Sequence, residues 1–232
     1  MRRNVTRMAA VAVAVVLMGS ALVSAAAAYS LRAPQVAVGG GSLQGYLNGV
    51  GESINVNTDQ ADVQVLTTDV SGNALFTLML ELAGNANGNA IGVYNASDAV
   101  PTLFQVFPGN AQVGYFAVVS FQPGGNLVVN LFSNTAGFLG SNTYGGVNAS
   151  AFGLYLSGPG GTFYSEDGRN AGGAAQALMF AGTGVNFGQW WMAWEDTQFG
   201  DRDFDDAVLL LESVAPVPTQ NKSWGAVKAQ YR

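Results

Sequence analysis

The 232-residue chain contains neither cysteine nor histidine. Without a thiol there is no disulfide framework, no thiolate nucleophile and no cysteine-ligated zinc or iron–sulfur site. Without imidazole there is no Ser-His-Asp triad, no histidine-ligated zinc and no imidazole base working near neutral pH. What survives is carboxylate chemistry and oxygen-ligated cations. Charge is scarce as well, at 10% of residues, and basic charge scarcer: nine Lys and Arg stand against fifteen Asp and Glu. Beyond the first seven residues, only Arg32, Arg169 and Arg202 precede the last eleven. Neutralising phosphates needs clustered Lys and Arg, so nucleic acid is excluded as a partner, and an anionic membrane surface with it.

The chain opens with Arg2, Arg3 and Arg7, an apolar run from Met8 to Met18, and then small residues including S-A-A-A-A. These are the three regions of a secretory signal peptide, expected over residues 1–28 with cleavage between Ala25 and Ala28. The apolar run is short for a spanning helix, which needs about 20 residues. The expected product is secreted or extracytoplasmic, without a stable membrane span. It carries six basic and fifteen acidic residues, a net charge of −9. A chain of roughly 205 residues buries enough core to fold without covalent staples.

The body, residues 29–214, reads as a single all-β domain. Residues 75–82 alternate in strand period, Phe76, Leu78, Leu80 and Leu82 against Leu75, Thr77, Met79 and Glu81. Short apolar strands follow at 91–94, 103–107, 115–121, 127–132, 152–156, 162–164, 178–181, 188–194 and 207–214. They are separated by turn sequences such as G-N-A-N-G-N, P-G-G-N and G-P-G-G. No long helix is expected, although 59–66 and 171–177 would each hold a turn or two. About ten short strands, with 31 glycines to serve their turns, predict an antiparallel β-sandwich of jelly-roll-like design.

Charge is concentrated in one place. Glu195, Asp196, Asp201, Asp203, Asp205 and Asp206 fall within twelve residues, with Arg202 the only base among them. Two like charges about 5 Å apart at an effective dielectric of about 20 repel by roughly 3 kcal/mol. The segment is therefore well solvated, partly protonated or neutralised by a cation. Calcium takes six to eight oxygen ligands, and a D-x-D-x-D turn such as Asp201, Asp203 and Asp205 offers alternate carboxylates to one point. Glu212 even stands twelfth from Asp201. A calcium-binding helix-loop-helix is nevertheless rejected, because position six is Asp206 in place of glycine and Ala207 to Leu211 read as a buried strand. The expectation is a calcium site built from the six acids; the alternative is a polar hairpin whose acids face water.

The second half of the chain carries A-F-G-L-Y-L from Ala151, G-P-G-G-T-F-Y-S-E-D from Gly158, R-N-A-G-G-A-A-Q-A-L-M-F from Arg169, W-M-A-W-E-D from Trp191 and G-D-R-D-F-D-D from Gly200, then V-A-P-V-P. Together these runs resemble the C-terminal module of bacterial exported proteins of the PEP-CTERM-sorted group, the domain of unknown function numbered 4114. S-L-Q-G-Y-L from Ser42, the stretch from Glu81 and L-F-Q-V-F from Leu103 are similar to other parts of such proteins. The resemblance implies a β-rich protein of the cell surface or matrix with no established activity. Its matching positions are Trp194, Glu195, Asp196, Asp201, Asp203, Phe204, Asp205 and Asp206. After V-A-P-V-P the family's sorting form continues into a spanning helix and terminal arginines, whereas this chain continues T-Q-N-K-S-W-G-A-V-K-A-Q-Y-R.

That ending, residues 215–232, reads as a proline linker and a short tail with Trp224, Val227 and Tyr231 at helical spacing. It is expected either to dock a sorting partner or to pack on the body. Trp190 and Trp191 suggest a second reading, a secreted carbohydrate-binding module using surface tryptophans, since indole faces stack well on rings. Trp190, Met192 and Trp194 would share one strand face, and Trp191 and Ala193 the other. Carboxylate pairs for glycoside hydrolysis, Glu166 with Asp167 or Glu195 with Asp196, are adjacent residues that point to opposite faces of a strand. The reading is thus a non-enzymatic envelope or matrix protein, its partners a polysaccharide or further copies of itself.

Overall fold

A computed structural model describes residues 29–217 except 34, 83 and 85. The expected signal peptide and most of the expected tail lie outside the described residues. The elements are α1 (Ser42–Gly49), β1 (Leu66–Thr68), β2 (Asn73–Leu80), β3 (Ala90–Asn95), β4 (Phe104–Phe107), β5 (Phe116–Gln122), β6 (Asn126–Phe132), β7 (Phe138–Tyr144), β8 (Phe152–Gly158), β9 (Gly161–Tyr164), β10 (Ala177–Ala181), β11 (Trp190–Trp194), β12 (Ala207–Glu212) and β13 (Val214–Pro216).

The strands form two antiparallel sheets. One runs β13-β1-β8-β3-β4, with β9 also paired to β8; the other runs β10-β11-β12-β2-β5-β6-β7. The chain passes repeatedly between them, so the expected jelly-roll-like sandwich is what forms. Strand period explains the filling: Phe76 and Leu78 of β2, Ala117 and Val119 of β5 and Leu127 and Val129 of β6 face inward. They meet Ile91, Val93, Phe152, Leu154 and Leu156 of the opposite sheet in the main core. The β5–β6 hairpin closes through Gly124 and Gly125, both at positive φ, as the P-G-G-N sequence requires.

A second core lies on the outer face of the seven-stranded sheet. There Leu43 and Leu47 of α1, with Ile54, Val56 and Phe204, cover Leu178, Phe180, Trp191, Ala193, Val208 and Leu210. The cover explains why β10, β11 and β12 are apolar at every position but Glu212: both of their faces are buried. Glu52 ties it down. Its carboxylate is buried and accepts from Thr183 N and Oγ1, from Asn186 Nδ2, each at 2.6 Å, and from Trp191 Nε1 at 2.8 Å. Burial alone would raise the Glu52 pKa, but these donors outweigh it and hold the group below the usual carboxylate range.

Several expectations are corrected. α1 is a helix where none was expected: Leu43 and Leu47 give only one i,i+4 repeat, and Gly45 and Gly49 weaken its propensity, so packing on the sheet stabilises it. β2 ends at Leu80, and Leu82 is exposed. The run 207–214 is two strands, because Ser213 takes a left-handed conformation that sends β13 to the other sheet. β1 and β7 were not expected; β7, F-L-G-S-N-T-Y, has no alternation to read. Residues 59–65 are not helical, and 171–173 make a single 3-10 turn.

Candidate metal centre

The acidic segment is the connection from β11 to β12. Three of its residues, Phe199, Arg202 and Phe204, hold positive φ without being glycine. Such left-handed residues cost about 1–3 kcal/mol each and persist where the surroundings fix them. Here the fixing is visible. Phe204 is fully buried in the second core, and its N–H donates to Glu195 Oε1 at 3.0 Å. Gly39 N donates to Arg202 O at 2.6 Å, and a side chain on Gly39 would run into Asp201 O. Ser42, the first residue of α1, donates its hydroxyl to Asp205 Oδ2. The cover segment therefore clamps the acidic turn from outside.

Within the turn, Glu195, Asp201 and Asp203 each bring a carboxylate oxygen within 4.8 Å of the others. Glu195 is buried at the end of β11, Asp203 is half-buried and Asp201 is exposed, so the cluster runs from the protein interior to solvent. Gly200 passes so close that a Cβ there would meet Glu195 Oε2 at 2.5 Å. Arg202 pairs with none of these acids among the described residues; it lines a separate cleft with Arg32, Asp62 and Asp167.

The other three candidates are placed differently. Asp205 adjoins Asp203, whose Oδ1 accepts the Asp205 N–H at 3.4 Å, but is engaged by Ser42. Asp196 is turned away from Glu195, as adjacent extended residues are, and accepts from Asn89 Nδ2 at 2.8 Å and Thr197 Oγ1 at 3.0 Å. Asp206 caps the turn by accepting the Asp196 N–H at 2.8 Å. Of the six expected acids, the structure brings Glu195, Asp201 and Asp203 together, with Asp205 beside them and Asp196 and Asp206 in the loop's own hydrogen bonds. Glu212 lies at the far end of β12, a strand, as the rejection of a helix-loop-helix requires.

The electrostatics match a site short of positive charge. Burial first, then the charges of Asp206 and Asp201, push Glu195 up to about 7 against the donors from Phe204 and Arg202. Burial and the neighbouring aspartates raise Asp205 and Asp206 to about 6. Glu81, just past β2, is raised to about 7 by burial and by Asp196. Glu81 and the clamp residues Gly39 and Ser42 escaped the sequence reading; the signal present was the G-G-G-S run before α1, which only acquires meaning once the two loops are seen to touch.

Trp190 and Trp191 are not surface tryptophans. Trp190 lies in the main core with Tyr29 edge-on at 5.0 Å, and Trp191 lies in the second core. The alternation expected for this strand is right, but both faces are covered, so neither indole presents a face to a sugar. Glu166 and Asp167 are each in an ion pair, with Arg169 and Arg32 respectively.

No family model and no curated protein matches the chain. Among solved structures, a double mutant of Congerin II is similar at 14% identity over 68% of this chain and 92% of its own, with a TM-score of 0.18. A likeness of that size carries no argument about function.

Proposed function

We propose that this chain is an exported, non-enzymatic protein of the bacterial cell envelope or extracellular matrix, in which a calcium ion holds the acidic turn between β11 and β12. The observation that carries the reading is the triad Glu195, Asp201 and Asp203, converging on one point with no basic partner among the described residues. Converging carboxylates are an oxygen-only ligand set, which suits a hard cation. The irregular, partly exposed loop suits calcium's variable coordination better than the strict octahedron of magnesium. Water or loop carbonyls would complete the six to eight ligands. The role assigned to the ion is structural: it offsets the repulsion that the clamp from Gly39 to Ser42 and the buried Phe204 otherwise oppose alone.

Export rests on the N-terminal pattern, and envelope or matrix placement on the family resemblance. The test of the site is a thermal melt of the purified protein in chelator and in millimolar calcium, with Asp203→Ala alongside. At about 100 times its dissociation constant a cation adds roughly 2.7 kcal/mol, about 5–10 °C for a chain of this size. A rise of that order, lost in Asp203→Ala, is the expected result; equal midpoints in both conditions refute the site. Amino-terminal sequencing of the exported protein tests the other half, with a start at residues 26–29 expected.

A further inference from the structure

The acids crowd the turn after β11, but another part of the chain carries no charge at all. Between Asp98 and Glu166 there is not one Asp, Glu, Lys or Arg, in a protein of net charge −6. The charge-free stretch contains β4 to β9, and its most exposed strand is β7, at the edge of the seven-stranded sheet. Phe138 and Leu139 are 61% and 50% exposed, and residues 141–143 are exposed too.

An unpaired edge strand presents a row of free N–H and C=O groups, and soluble proteins ordinarily blunt such edges with lysine, proline, covering segments or extreme shortness. The other edges here follow that rule. β4, β9 and β13 have four residues or fewer, and β10 is bridged by Ala61, whose N–H donates to Met179 O. β7 has seven residues, no charge and no proline, and among the described residues it pairs only with β6. Its one irregularity lies at the Phe138 end, leaving Gly140 to Tyr144 in regular register with Leu127 to Leu131.

We infer that β7 is a homotypic docking edge, on which two copies of this chain pair β7 antiparallel to β7. A two-fold axis normal to the sheet closes the contact and forms one continuous sheet. Charge selects a second copy as the occupant. Two acidic molecules repel wherever their charged faces meet, and this stretch is where like can approach like without juxtaposing carboxylates. The symmetry also sets two aromatic rows on one side. Phe116 and Phe132 stack at 5.0 Å, and Phe138 meets Phe132 edge-on at 5.5 Å. The inference is independent of the calcium reading, since no acid takes part.

Sedimentation of the full purified protein over a concentration series tests it, with Ser141→Lys and, as a second edge variant, Leu139→Lys. The expected result is a monomer–dimer equilibrium that tightens with added salt. Each lysine variant should shift its midpoint at least tenfold towards monomer while the thermal midpoint stays unchanged. A monomer at every concentration overturns the inference, as does a dimer indifferent to both lysines. A chain truncated after Val217 completes the test: a dimer that appears only after truncation would make the tail the occupant of the edge and overturn the second-copy reading.

Discussion

The two halves of the seven-stranded sheet share a main-core face and differ in the other. Over β10, β11 and β12 the outer face is sealed by α1 and the segment around it; over β5, β6 and β7 it stays open. The sequences record the difference, W-W-M-A-W against F-A-V-V-S-F-Q. A strand buried on both faces becomes uniformly apolar, whereas one half-exposed alternates. The cover also organises the acidic turn, through Gly39 against Arg202, Ser42 against Asp205, and Phe204 inserted beneath α1. One half of the sheet thus supports a charged site, and the other ends in an uncharged edge.

Removing matched aromatics from the two halves sharpens the contrast most. Trp191→Ala should cost about 3–5 kcal/mol, as buried aromatic truncations do, and it also removes one of the two donors to Glu52 Oε1. Phe132→Ala, on the half-exposed face, should cost about 1 kcal/mol. Urea midpoints of the two variants with unchanged slopes would show this; equal losses would mean that the cover contributes nothing to stability.

The pH dependence separates the halves next. Glu81 and Glu195 at about 7, and Asp205 and Asp206 at about 6, are raised above ordinary carboxylates. Their folded state holds protons that the unfolded chain releases. Stability from them is full below about pH 4 and is lost as pH rises through 6 and 7. In chelator the thermal midpoint should therefore fall by several degrees across that window. Calcium, bound through Glu195 of these four, should flatten part of the fall. A flat profile in chelator would contradict the packing of these acids.

Smaller effects follow. Ser42→Ala removes the hydroxyl that reaches Asp205 and should cost about 1 kcal/mol, with a weaker calcium response in the same melt. On the open half, Thr143→Lys should leave stability within about 0.5 kcal/mol of the parent; a larger loss would show that β7 is less exposed than its neighbours indicate.

Much of the sandwich was legible because alternation and turn chemistry act locally. The β5–β6 hairpin follows from P-G-G-N, and the facing of Trp190, Trp191 and Trp194 from strand period. What escaped depends on distant contacts. α1 has too little amphipathic repeat to declare itself, and β7 is ordered by its pairing with β6. The burial of both tryptophan faces needed knowledge of the cover. The acids were plain as a cluster, but their division into the triad and the loop-bonding Asp196 and Asp206 depends on left-handed residues at Arg202 and Phe204, which sequence does not announce in non-glycine positions.

The most direct test of the central claim is calorimetric titration of calcium into the chelator-stripped protein, with Asp203→Ala and Phe132→Ala as companions. The account predicts one ion per chain for the parent and for Phe132→Ala, and none for Asp203→Ala with its fold retained. A folded parent that takes up no calcium at millimolar concentration, or an Asp203→Ala variant that binds it as well as the parent does, would contradict it.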